Sequence, residues 1–149
     1  VTNLFGIKWL ARHLGPAYRI HLLSFRDTAP MHIDATLMPL APGKLLVNPE
    51  RVPTIPPIFA GWEVLASPPS TIPDSHPMFM SSRWVNMNVL MIDEKRVVVE
   101  RQEEPLIRAL EGFGFICIPC DFRHVMSFGG AFHCVTCDVR RRGTLQSYF

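Results

Sequence analysis

No apolar run in these 149 residues approaches the roughly 18 needed to cross a bilayer, and Asn3, Lys8 and Arg12 interrupt the first apolar positions. Neither a spanning helix nor a secretory signal is readable. An excess of one charge is missing too: the formal net charge is +2 with 19% charged residues, too little to imply a nucleic-acid partner. With 48% hydrophobic residues the chain reads as one globular unit, or part of one, and not as a disordered segment. It opens on Val1 without an initiator Met and runs directly into a helix signal; the expectation is a fragment.

Four cysteines without a secretory segment suggest reduced thiols in an intracellular setting. They form two CxxC pairs, Cys117-Ile118-Pro119-Cys120 and Cys134-Val135-Thr136-Cys137, with 13 residues between them, a spacing that resembles a zinc ribbon. Neither pair carries the glycine of a tight metal knuckle. Phe113, Phe115 and Cys117 also alternate along one apolar face, which suits a core cysteine. The second pair follows Gly129-Gly130, and a cysteine leaving a glycine pair for a short strand is well placed to present its thiol. With His32-Ile33-Asp34 upstream, a Cys/His active site is the competing reading.

Leu4, Ile7, Leu10 and Leu14 have helical spacing after a polar cap at Thr2 or Asn3, with Gly15-Pro16 as a stop, and 18–25 reads as a strand. A strand is expected over 34–40, a turn at Ala41-Pro42-Gly43, a strand over 44–47, a short helix between Pro57 and Gly61, and a strand over 62–65. The same order recurs: strand 85–92, turn Asp93-Glu94-Lys95, strand 96–99, helix 104–111, strand 115–119. The unit is ββαβ.

Aligning Gly61-Trp62 with Gly114-Phe115 gives a period of about 50 residues, the scale of propellers and other repeat arrays. One period beyond His32 lies Ser81-Ser82, and two periods beyond lies Cys134. In a closed ring, equivalent positions converge on one axis; coincidence among residues at strand starts is the alternative.

The segments Met31-His32-Ile33-Asp34-Ala35-Thr36, Met80-Ser81-Ser82-Arg83-Trp84, Asn86-Met87-Asn88-Val89-Leu90-Met91, Asp93-Glu94-Lys95-Arg96-Val97 and Phe132-His133-Cys134-Val135-Thr136-Cys137-Asp138-Val139-Arg140-Arg141-Arg142-Gly143 together resemble the C-terminal part of arginine:glycine amidinotransferases. They are also similar to amidinotransferases of guanidino-toxin and antibiotic biosynthesis. The resemblance covers essentially the whole chain. It implies an α/β fold, the five-unit αβ-propeller called the pentein fold, of which 1–149 would supply about two and a half units, with the N-terminal units missing.

It further implies ping-pong transfer of the amidino group of L-arginine to an acceptor amine, glycine or a biosynthetic intermediate, through an amidino-cysteine with release of ornithine. Cys134 would be the nucleophile and His32 the proton carrier. Asp34 would hold the guanidinium, Arg51 the substrate carboxylate, Ser81 and Ser82 the amino-acid end, and Met31 the acceptor. Read without the resemblance, His32 is a structural histidine, Asp34 a turn acceptor, Arg51 a solvated charge and the serines a helix cap. No cofactor or metal is implied. A homodimer is expected for the full-length protein, in the cytoplasm, or in mitochondria for a eukaryotic source.

Three exclusions accompany this reading. Arg140-Arg141-Arg142 is read as a solvated or ion-paired segment, not a nucleic-acid patch. His133 and Cys137 are expected to point away from the thiol, because neighbours on a strand face opposite sides. Asp27 is no substitute for the His-orienting aspartate, which is expected upstream of this chain. A hydrolase of the same superfamily and a non-catalytic CxxC zinc module remain the alternatives.

Overall fold

The structure is a computed structural model that describes residues 2–26, 32–79, 81–144 and 147–149. Helix α1, Leu4–Leu14, starts where Asn3 accepts the Gly6 N–H at 2.9 Å and stops where Gly15, at φ 75°, returns its N–H to the Ala11 carbonyl. None of its residues is buried. No strand follows over 18–25. The cause is simple: Leu23 and Phe25 pack beside a core cluster, but among the described residues the one backbone bond beyond this stretch's own turn runs from Arg26 N–H to the Arg51 carbonyl, and a strand needs a paired neighbour.

Two three-stranded sheets carry the repeat. In the first, β1 (Leu37–Ala41) pairs antiparallel with β2 (Lys44–Val47) around a turn at Pro42-Gly43, and β2 pairs parallel with β3 (Glu63–Ala66). In the second, β4 (Leu90–Met91) pairs antiparallel with β5 (Arg96–Glu100), and β5 pairs parallel with β6 (Ile116–Cys120). A parallel neighbour requires a crossover. The first crossover carries only a 3₁₀ turn, Pro57–Phe59, and the second carries helix α2, Glu104–Gly112. Lys44 to Arg96 is 52 positions and Glu63 to Ile116 is 53, so the period read from the glycines is a structural repeat.

The first strand of each unit is shorter than its apolar run suggests. Residues Ile33–Ala35 and Arg83–Met87 form 3₁₀ turns, and the strands begin only at Leu37 and Leu90. Val85, Met87 and Val89 are nonetheless buried, because these turns run into the core and not over the surface.

One cluster joins the sheets: Met38, Leu40 and Leu46 pack with Met87, Val89, Val97, Val99, Leu106, Leu110 and Phe115. Lys44 bridges the same seam, donating to the Phe113 carbonyl at 2.9 Å with its ammonium 4.2 Å from the Phe113 ring centre. Beyond β6, helix α3 (Arg123–Met126) is held against the start of α2 by a buried ion pair, Arg123 to Glu103 at 3.0 Å. The Glu103 carboxylate also accepts from the Ser70 hydroxyl and the Thr71 N–H, both at 2.9 Å. This pair fixes where the chain enters the Ser127–Cys134 segment. No helix is long and apolar enough to cross a membrane among the described residues.

Candidate active site

Three segments far apart in sequence meet at the ends of the two sheets. The first is the turn Ile33–Ala35, with His32 in its capping position; the second is Arg83–Met87, with Ser82 in the same position; the third is the turn around Cys134. His32 and Ser82 both have extended backbones before their turns (φ −132°, ψ 131° and φ −108°, ψ 166°), so the register read from the 50-residue period is matched in local conformation. Imidazole, carboxylate and thiol atoms of His32, Asp34 and Cys134 all lie within 4.8 Å of one another.

Asp34 is the centre of this group. Its side chain is 13% exposed, and its Oδ2 accepts from the Asn88 amide at 2.6 Å, lies 3.0 Å from His133 Nδ1 and 3.5 Å from Cys134 Sγ. Its other oxygen, Oδ1, is buried without a hydrogen-bond partner among the described residues, which is costly unless a ligand supplies a donor. The Cys134 thiol is pushed above its ordinary value of 9.0, first by burial, then by the Asp34 charge and by its bond to Asp34, against smaller opposing effects from Asn88 and Ala131. Burial and the neighbouring carboxyl thus favour the thiol over the thiolate. Among the described residues no hydrogen bond fixes the exposed His32 ring.

Cys134 does not leave Gly129-Gly130 on a strand. Residues 132–135 form a turn, and the parity argument that sent His133 to the opposite face fails with the strand: His133 reaches the same Asp34 oxygen as the thiol. Gly130 explains the tight geometry. A Cβ on it would lie 2.6 Å from Cys134 Cβ and 3.2 Å from Sγ. Gly130→Ala is expected to destabilise the fold by about 1–3 kcal/mol through overpacking and to slow carbamidomethylation of Cys134; an unchanged melting temperature and alkylation rate would contradict this packing.

The remaining sequence-derived positions fall around this centre. Arg51 is half-buried, and its guanidinium donates to the Ala35 carbonyl at 3.3 Å and to Thr36 Oγ1 at 3.4 Å, which puts it at the far end of the turn that carries Asp34. Ser82 occupies a capping position, yet its side chain makes no capping bond; the Ser81 hydroxyl faces the Ser82 carbonyl at 3.5 Å. Met31 and Asp27 lie outside the described residues. Asn88, which the Asn86–Met91 motif contains without an assigned task, also belongs to this centre. It is 2% exposed, and unlike the equally buried Asn86, whose Oδ1 has no partner among the described residues, its oxygen and nitrogen are both bonded.

The two CxxC pairs do not assemble into a metal knuckle. Among the described residues the one convergent group of three or more His, Cys, Asp or Glu side chains contains Cys134 alone of the four cysteines. Cys117 packs against the joint core, and burial, with a smaller contribution from Glu111, pushes its thiol up to about 11. The core placement expected for Cys117 holds, but the strand begins only at Ile116 and Phe113 caps α2, so the three residues do not alternate along one strand; the four cysteines do not converge as a zinc ribbon would need.

No family model matches the chain. Over 148 residues it is 64% identical to the L-arginine:L-lysine amidinotransferase of Pseudomonas savastanoi pv. phaseolicola, covering 99% of this chain and 41% of that protein. Over 151 residues it is 52% identical to the mitochondrial glycine amidinotransferase of Xenopus laevis, covering 100% of this chain and 36% of that protein. The chain is homologous to the amidinotransferases. The solved structure of SxtG, an amidinotransferase in the saxitoxin biosynthetic pathway of Microseira wollei, superposes with a TM-score of 0.92 at 51% identity, over 99% of this chain and 42% of that one. The inosamine-phosphate amidinotransferase StrB1 of Streptomyces griseus gives 0.84 at 37% identity, over 98% and 42%. The amidinotransferase likeness brings with it the pentein-type fold that the sequence motifs implied. The chain spans about two fifths of the length of the amidinotransferases it matches.

Proposed function

We propose that this chain is the part of an L-arginine amidinotransferase that carries the nucleophile, the proton carrier and one guanidinium-binding carboxylate. The observation that carries the proposal is the buried Asp34 Oδ1, without a hydrogen-bond partner among the described residues, beside a thiol pushed up first by burial and then by the Asp34 charge. A planar guanidinium supplies parallel donors to such a carboxylate. By offsetting the Asp34 charge it also removes one cause of the raised Cys134 value, so substrate binding and thiolate formation are coupled. Cys134 then attacks the guanidinium carbon as its proton passes to His32, His32 gives that proton to the departing ornithine nitrogen, and an acceptor amine, deprotonated by His32, takes the amidino group and releases the sulfur, which recovers the proton. Arg51 would hold the substrate carboxylate, Ser81 and Ser82 its amino-acid end, and Met31 would contact the acceptor. Two ββαβ units and the start of a third would contribute to a five-unit ring, and the His-orienting carboxylate would come from outside this chain. A Cys/His pair lacking that carboxylate would leave the 149 residues inactive when isolated.

The decisive experiment incubates the intact parent protein with arginine, quenches it and measures the mass of the Cys134 peptide. An amidino increment is expected, and adding lysine, the acceptor named in the 64%-identical relative, should discharge it to a guanidino product; no increment on folded protein would refute the reading, and urea or citrulline without that product would point to hydrolysis. Asp34→Asn gives a second, opposite-signed outcome. Removing a negative charge beside the sulfur favours the thiolate, so alkylation of Cys134 in arginine-free protein should begin at lower pH while arginine no longer charges the enzyme. An alkylation profile that stays put or moves to higher pH would show that Asp34 does not set the thiol.

A further inference from the structure

Asn88 touches both Asp34 and the turn that carries Cys134. Its Oδ1 accepts the backbone N–H groups of Ala131 at 2.9 Å and Cys134 at 3.0 Å, its Nδ2 donates to Asp34 Oδ2 at 2.6 Å, and its backbone carbonyl lies 3.3 Å from the His133 N–H. Two backbone N–H groups can only donate, so the side of the amide facing them is the oxygen, and the side facing Asp34 is the NH₂. The orientation is thus dictated by the network. Asn88 is itself fixed at the end of Arg83–Met87 by its N–H to the Val85 carbonyl at 3.0 Å.

We infer that Asn88 is a positioning residue of this site: one side chain both holds the turn that presents the Cys134 thiol and keeps Asp34 Oδ2 committed as an acceptor facing it. Two neighbouring sheets and the Cys134 turn are thereby tied to one rigid group. The assignment rests on the amidinotransferase reading only for its effect on turnover; the effect on the thiol is independent. The charged and titratable groups around it are His32 and Asp34 on the first turn, Arg51 behind that turn at Ala35, Arg83 paired with Asp74 on its own turn, and His133 and Cys134 opposite.

Asn88→Asp separates this task from simple packing. The variant keeps the size of the side chain and keeps an oxygen for the Ala131 and Cys134 N–H groups, but it replaces the donor facing Asp34 with a second carboxylate. Two carboxylates at that distance share a proton at low pH; once it has left, in the alkaline range where the thiol titrates, the added negative charge disfavours the thiolate. In the intact parent protein without arginine, the pH profile of Cys134 alkylation by iodoacetamide should move up by roughly one unit or more. Turnover should fall about 100-fold through the displaced sulfur and carboxylate, and the melting temperature should fall because the second carboxylate is buried against the first. A wild-type alkylation profile together with turnover within about threefold of wild type, judged against that same 100-fold expectation, would overturn the assignment. Should Asn88→Asp fail to fold, the exchanged pair Asp34→Asn with Asn88→Asp restores one donor facing one acceptor and should recover folding; its failure to do so also overturns it. Because the alkylation is read without arginine, an Asn88 effect in a protein that never forms an amidino adduct would refute the proposed function and leave the positioning role standing.

Discussion

Cys134→Ser in the intact parent protein is expected to lower ornithine release from arginine by about 10⁴-fold or more, the scale on which covalent catalysis is lost with its nucleophile. A serine hydroxyl in the same turn keeps the Asn88 bond to the backbone N–H but ionises far less readily than a thiol, and the Asp34 carboxylate beside it opposes ionisation further. The paired control is Cys137→Ser. Cys137 is exposed and lies outside the convergent group, so its replacement should leave turnover essentially intact. Residual turnover above about a tenth of wild type in Cys134→Ser, orders of magnitude over the level expected for a lost nucleophile, would mean that sulfur attack is not the route. A large loss in Cys137→Ser would mean that the wrong thiol has been assigned.

Arg123→Met should produce the largest change in stability. Glu103 is fully buried, and Arg123 is its only cationic partner among the described residues, 7% exposed on its side chain. Removing the cation leaves an uncompensated buried carboxylate, at a cost of about 3–5 kcal/mol. A melting temperature lower by about 10 °C follows for a domain of a few hundred residues. The sign can be checked by a second change. Adding Glu103→Gln removes the orphaned charge while keeping an oxygen for the Thr71 N–H and placing an NH₂ toward the Ser70 hydroxyl, which can accept from it, and should recover more than half of the loss. Should the double variant be no more stable than Arg123→Met, the loss lies in packing of the Arg123 stem and not in the buried charge.

Much of this architecture was legible before any coordinates. The Asn3 cap and Gly15 stop bound α1, Lys44 to Val47 forms a strand with the boundaries its apolar run suggests, and the turn at Asp93-Glu94-Lys95 forms where its charges cluster, with the Asp93 carboxyl held at about 2 by its bonds to Arg96 and Lys95. These elements are set by neighbours in sequence, through caps, turns and alternation. The misreadings share one cause. The 18–25 segment, the start of 85–92 and the Cys134 turn all look like strands by composition, but strand formation depends on a partner that composition does not reveal.

The site divides in the same way. Sequence alone put His32, Ser81-Ser82 and Cys134 at one repeat position, because a repeated ββαβ unit repeats its connections. It also supplied the motifs that identify the amidinotransferase homology. Only the tertiary structure decided that Asp34 Oδ2 is shared by Asn88, His133 and Cys134, that Gly130 makes room for the thiol, and that Cys117 belongs to the core and not to a metal knuckle. The physical reason is range. A cap or turn is a contact across three or four residues, whereas Asp34, Asn88 and Cys134 are separated by tens of positions and meet only after two sheets have packed on a common core. The protonation of the thiol is set by burial and by the charge that this packing brings beside it.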